Sequence, residues 1–269
     1  MLACLGVVTT ARAIRAWLSV VGLLVFWIAP ATLTAETPTR EPTRDSIVIG
    51  DFASAPSGSL PPEWKPLTFR GIDTHTRYAA VPDPDHGQVV MASANASASA
   101  LIRRVDVDAS SFPLLRWRWK VGNLIAGSDV TRRAGDDYPA RIYVTFRYDP
   151  SRVSLVERAR FAAVRLIYGE YPPHSGLNYI WDGKAAQGTM VPNPHTSRVA
   201  MVVVESGAAN LREWRDYERN IVDDYRRAFG ENPPAISGIA IMTDTDNSGE
   251  AATAWYGNIS LHALKSVVR

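Results

Sequence analysis

The sequence has one cysteine, Cys4, near its start. From residue 5 onward no disulfide and no thiolate metal site can form. Zinc by histidine is also disfavoured. The five histidines, His75, His86, His174, His195 and His262, include no pair at zinc-ligand spacing, and no His-Glu-x-x-His occurs. A Gly-x-Ser-x-Gly nucleophile elbow is missing, as is a glycine loop that could cradle phosphate. Excess charge is missing too. Residues 1–35 carry Arg12 and Arg15 and no acid; subtracting those two from 29 Lys and Arg leaves 27, equal to the 27 Asp and Glu. A chain balanced in this way lacks the basic footprint of a nucleic-acid binder.

The longest apolar run is Ala16 to Ala29, preceded by Arg12 and Arg15 and ended by Pro30, with Ala35 as a small residue at an exit point. Basic region, apolar core and small-residue exit form the layout of a signal peptide cleaved after Ala35. The core of 14 residues is short of the ~20 that span a bilayer. The expectation is a periplasmic or secreted protein, touching membrane only if the leader stays as an anchor. The Pro- and Thr-rich segment 36–45 reads as a linker, and 46–269 as a single domain.

What the chain does have is short alternating segments punctuated by polar turns. Leu115, Trp117, Trp119 and Val121 alternate with Arg116, Arg118 and Lys120. Ile142, Val144 and Phe146 alternate with Arg141, Tyr143, Thr145 and Arg147. Period two marks half-buried strands, so the tryptophans point to a core and the arginines away from it. Further strands are expected at 46–52, 99–107, 198–205, 236–242 and 253–264. Two helical insertions are expected, about 151–168 and 211–229. The second rests on Leu211, Trp214, Tyr217, Ile221, Tyr225 and Phe229 at spacings of three and four, with Gly230 as C-cap. The first has apolar residues around most of its circumference and no obvious packing face. The fold class is mainly β: an antiparallel β-sandwich of jelly-roll type with two helical insertions.

Five segments together resemble the bacterial family of unknown function designated DUF3047: Leu115–Trp119, Gly135–Arg141, Leu177–Trp181, Asp223–Arg226 and Met242–Asn247. The resemblance implies an exported or envelope-associated domain and brings no catalytic residues. Gly50-Asp51-Phe52, Trp64 and the closing Trp255-Tyr256-Gly257-Asn258-Ile259 resemble the first and last strands of carbohydrate-binding jelly rolls. That likeness implies a structural calcium near those strands. Asn258 stands where an Asp would serve it better. No other cofactor is expected.

Candidate ligand contacts fall into three groups. Arg116, Arg118, Arg141 and Tyr143 would form a basic and aromatic stripe if their two strands were neighbours, suiting a saccharide or anionic envelope ligand; the alternative is a solvated face balanced by acids on the helices. The loop residues Asp136, Asp137, Asp244, Asp246 and Asn247, with Glu205, could share a pocket, bind calcium or serve a carbohydrate-active enzyme as acid and base. They could equally be turn formers. Trp181, beside Asn178, could stack a sugar ring or lie in the core. The leading expectation is a non-catalytic binding module. A carbohydrate-active enzyme and an envelope scaffold for protein partners follow.

Overall fold

A computed structural model describes residues 45–168 and 171–264. The leader 1–35 and nearly all of the linker lie outside them. Among the described residues are thirteen strands and two α-helices. Six strands form one sheet: β1 (Ser46–Gly50), β3 (Arg77–Asp83), β4 (Gly87–Asn95), β6 (Leu114–Val121), β11 (Arg215–Asn220) and β13 (Ala251–His262). Seven form the other, in the order β2 (Lys65–Leu67), β5 (Ala98–Val107), β12 (Ile236–Asp244), β7 (Arg141–Phe146), β8 (Ser175–Asp182), β10 (Thr196–Ser206), β9 (Met190–Asn193). First and last strands are neighbours, because β1 pairs with β13. All pairings are antiparallel except β8 with β10, which is parallel.

The alternation read in the sequence holds. Leu115, Trp117, Trp119 and Val121 from β6 meet Ile142, Val144 and Phe146 from β7 in one core, joined by Leu177, Tyr179 and Trp181 of β8. One aromatic stack ties the layers, with Trp117 5.3 Å from Tyr179 of the opposite sheet; a second, within the six-stranded sheet, sets Trp117 5.3 Å from Tyr217 of β11. Sandwich cores take their side chains from the two inner faces in this way, with outward residues alternating between them.

Both helical insertions are present, and the second is shorter than its apolar spacing predicts. Helix α1 covers Leu155–Tyr168 and α2 covers Ile221–Phe229. Residues 215–220 are instead strand β11, paired with β6 from Arg215↔Trp119 to Asn220↔Leu114. Tyr217 reaches the core there from an extended backbone. Asn220 ends the strand and caps the helix, its side chain accepting from the Val222 and Asp223 amides. Gly230 closes the helix at φ 74°, the left-handed conformation that glycine adopts without penalty.

The long loop from Gly122 to Ala140 links β6 to β7 across the sandwich. It lays Val130 and Tyr138 on Ile180, Met201 and Val203, the outward side chains of β8 and β10. Half of the seven-stranded sheet's outer face is thereby covered. The other half, over β2, β5, β12 and β7, carries the small side chains Ala98, Ala100 and Ala240 with Met242, overhung by Phe69 and Ile72.

Candidate functional site

The uncovered half of that sheet forms a cavity of about 480 Å³. Its floor is Ala98, Ala100 and Ala240; its apolar walls are Leu67, Phe69, Ile72, Ile102 and Met242. Alanines on two adjacent strands, β5 and β12, leave the space that larger side chains would fill. At the end next to the long loop the lining turns polar: Asp136, Asp244, Asp246, Asn247, Asn193 and His195, with Tyr143 between the two regions. A second hollow, about 620 Å³, shares Leu67, Ile102 and Thr145 with the first and extends the groove toward Arg147, Tyr148 and Tyr171.

Arg141 organises the polar end from beneath. It starts β7 and points to the outer face, as its alternation requires, yet only 1% of its surface is exposed. Its Nε donates to Asp244 Oδ1 at 2.7 Å, and Nη2 donates to Asp244 Oδ2 and to the Asp136 carbonyl. Nη1 donates to Asp136 Oδ1 at 3.0 Å and to Tyr143 Oη at 3.1 Å. A guanidinium has five N–H donors, and all five are used here. Arg141 therefore has no fork to offer a carboxylate or phosphate. It also packs on the Tyr138 ring, 4.5 Å from its centre.

The acids around it are not equivalent. Asp137 is fully buried and accepts from Asn247 N, Asn247 Nδ2 and Ser248 N, at 3.2, 3.2 and 2.6 Å. It holds the turn that follows β12. Burial pushes the Asp244 carboxyl up to about 8 against the pull of Arg141, and the neighbouring Asp137 charge adds to the rise. Burial, then Asp137, also raises the Asp246 carboxyl from its ordinary value. Burial raises the Tyr143 hydroxyl to about 12, so it remains a neutral donor. Asp137, Asp244 and Asp246 can bring carboxylate oxygens within 4.8 Å of one another, and these are the residues that could hold a hard cation. Both oxygens of Asp137 and of Asp244 already accept hydrogen bonds, which leaves Asp246 as the uncommitted ligand.

The structure thus brings together Asp136, Asp137, Arg141, Tyr143, Asp244, Asp246 and Asn247. Other expected contacts lie elsewhere. Arg116 and Arg118 sit on the outer face of the six-stranded sheet, because β6 and β7 belong to different sheets. The stripe joining them to Arg141 and Tyr143 does not form. Their charges are met on β11 rather than on the helices: Arg116 pairs with Glu218 at 2.5 Å and Arg118 with Asp216 at 2.8 Å. Trp181 is a core tryptophan whose Nε1 donates to the Gly207 carbonyl at 3.0 Å, so it presents no face to a sugar. Asn178 is fully buried, does not line the cavity, and donates to Met201 Sδ at 3.1 Å. Glu205 accepts from Tyr217 Oη at 2.8 Å and Asn210 Nδ2 at 3.2 Å, lies 3.8 Å from Arg215, and does not line the cavity. Asn258 Oδ1, at the place of the structural calcium implied by the jelly-roll likeness, accepts from the Phe52 amide at 2.9 Å.

The cavity walls went unread in the sequence. Their signal was the run of small residues at Ala92–Ala100. Small side chains at alternate positions of a strand leave room on the face they occupy, and Ala98 and Ala100 share such a face.

The family model described as "Protein of unknown function (DUF3047)" matches residues 62–260. No curated protein matches the chain. Among solved structures it is similar to the family 11 carbohydrate-binding module of the cellulosomal cellulase Lic26A-Cel5E of Clostridium thermocellum, with TM-score 0.42 and 12% identity over 81% of this chain and 95% of that one. The Clostridium thermocellum family 11 module in complex with a β-1,3-1,4-mixed-linked tetrasaccharide gives 0.40 and 11%, and the Emp47p carbohydrate recognition domain 0.40 and 10%, both over the same shares. Likenesses at this level bear on neither ligand nor site.

Proposed function

Because the chain belongs to the DUF3047 family of proteins of unknown function, we propose from the cavity's own chemistry that it is a non-catalytic binding module for a neutral, hydroxyl-rich ligand, a saccharide of the cell envelope. The observation that carries this reading is the groove on the seven-stranded sheet, apolar along its floor and rich in acceptors at one end. Apolar and aromatic walls such as Phe69 and Tyr143 suit the C–H faces of a sugar ring. Asp136, Asp246 and Asn247 suit its hydroxyls. The acids outnumber the one cation among them, and Arg141 is fully engaged, so an anionic ligand is disfavoured. The signal-peptide layout of residues 1–35 supports work outside the cytoplasm.

Acid–base cleavage of a glycosidic bond needs two carboxyls ~5 or ~6.5–9.5 Å apart on either side of the bond. Here the acids cluster at one end, with Asp137 spent on a turn and Asp244 on Arg141. The test is a screen of residues 36–269 against neutral and acidic polysaccharides, reading retention and release of reducing ends together. Retention on neutral glycans without release, insensitive to salt, is the expected result. Release would make the protein an enzyme. Retention lost with salt would move the ligand to the Arg116 and Arg118 face.

A further inference from the structure

Helix α1 is held to the body by one side only. Ser154 and Glu157 form a reciprocal cap at its start, with Ser154 N donating to Glu157 Oε2 at 3.0 Å and Glu157 N to Ser154 Oγ at 3.3 Å. One turn on, Phe161 is buried, stacked 4.3 Å from the Tyr148 ring and covered by the Arg198 guanidinium at 4.9 Å. Among the described residues nothing lies over the opposite side. Leu155, Ala159, Ala162 and Leu166 follow one another at helical spacing, and Val156 lies beside them. Leu155 is 78% exposed, Val156 64% and Leu166 88%.

Arginines border this stripe on both flanks: Arg158 and Arg165 on one, Arg160 on the other. Arg158 and Arg160 have no ion-pair partner among the described residues, and the helix's one described acid, Glu157, turns inward to Arg198. An apolar stripe between cationic edges is the arrangement of a helix that lies in a membrane interface, its aliphatic side chains in the acyl boundary and its cations among the headgroups. No described helix is long and apolar enough to cross a membrane. We propose that α1 docks this protein onto the surface of a bilayer carrying anionic phospholipid. The charge complementarity of the three arginines selects that occupant over a neutral bilayer.

The test uses the full chain carrying Cys4→Ser and Ala162→Cys, with an environment-sensitive fluorophore on the new thiol at the middle of the stripe. A twin chain carries the label at Ser57→Cys, an exposed site outside α1. Vesicles of phosphatidylcholine and phosphatidylglycerol in equal parts should shift the label at 162 to shorter wavelength and leave the label at 57 unchanged. Phosphatidylcholine alone should give no shift. Reversing Arg158, Arg160 and Arg165 to Glu should weaken partitioning by on the order of a hundredfold, with the circular dichroism spectrum unchanged. The proposal is overturned if the chain binds vesicles while the label at 162 stays in water, since the apolar leader would then account for binding. Equal shifts with neutral vesicles would overturn it as well. So would a shift produced by a lipid-free protein extract and not by vesicles, which would make the stripe a protein-docking face.

Discussion

Arg141 and Asp244 form a bidentate pair beneath the polar end of the cavity, and both are almost wholly buried. The pair serves to shape the site rather than to touch a ligand. Removing one partner leaves the other buried and unpaired, which typically costs about 3–5 kcal/mol. Arg141→Ala should therefore lower the unfolding free energy by that amount at neutral pH. The loss should be larger above pH 8, where Asp244 ionises without a partner, than at neutral pH. A variant as stable as the parent in urea unfolding would show that the pair is dispensable.

The cavity itself can be filled. Ala240→Leu adds bulk at the floor between β5 and β7, where overpacking costs ~1–3 kcal/mol. Saccharide retention should fall at least about tenfold in affinity electrophoresis, while the chain still melts cooperatively. Unchanged retention would place the ligand outside this groove.

Arg116→Ala and Arg118→Ala give the complementary expectation. Their exposed pairs with Glu218 and Asp216 contribute about 0–1 kcal/mol each. Retention should be unchanged and thermal unfolding nearly so. A drop in retention would move the binding surface to the other sheet.

Stability should also depend on pH through the raised acids. A carboxyl whose folded pKa exceeds its unfolded value binds more protons in the native state. Its contribution is complete below the ordinary aspartate pKa of ~3.9 and is lost as pH rises through the folded value, about 8 for Asp244. The melting temperature should fall across that window. Asp246→Asn removes one of the raised acids, so it should raise the melting temperature at pH 8 more than at pH 5. Calorimetry at the two pH values decides this, and an equal effect at both would contradict it.

Much of the fold was legible because its signals are local. The alternation of Leu115 to Val121 and of Ile142 to Phe146 assigned every inward side chain correctly. Which sheet a strand joins is a non-local property. Nothing in Arg116 or Arg141 reveals that β6 pairs with β11 and β13 while β7 pairs with β8 and β12. Two outward faces were thus read as one. Leu211, Trp214 and Tyr217 satisfied a helical spacing, yet Tyr217 gained more by packing on Trp117 and Trp119 from an extended strand. In the site, carboxylates and arginine were visible as residue types. Their division of labour was not, because the five donors of Arg141 are exhausted only by partners that the fold brings from residues 136, 143 and 244.

The loop from Gly122 to Ala140 covers β8 and β10 and leaves the outer faces of four strands free, a width of roughly 15–20 Å at ordinary strand spacing. It also contributes Asp136 to the groove's polar end, beside Asp244 and Asp246. A groove of about 480 Å³ holds only a few sugar rings. Affinity should therefore stop rising once an oligosaccharide is a few rings long, with no further gain per site from a longer polymer.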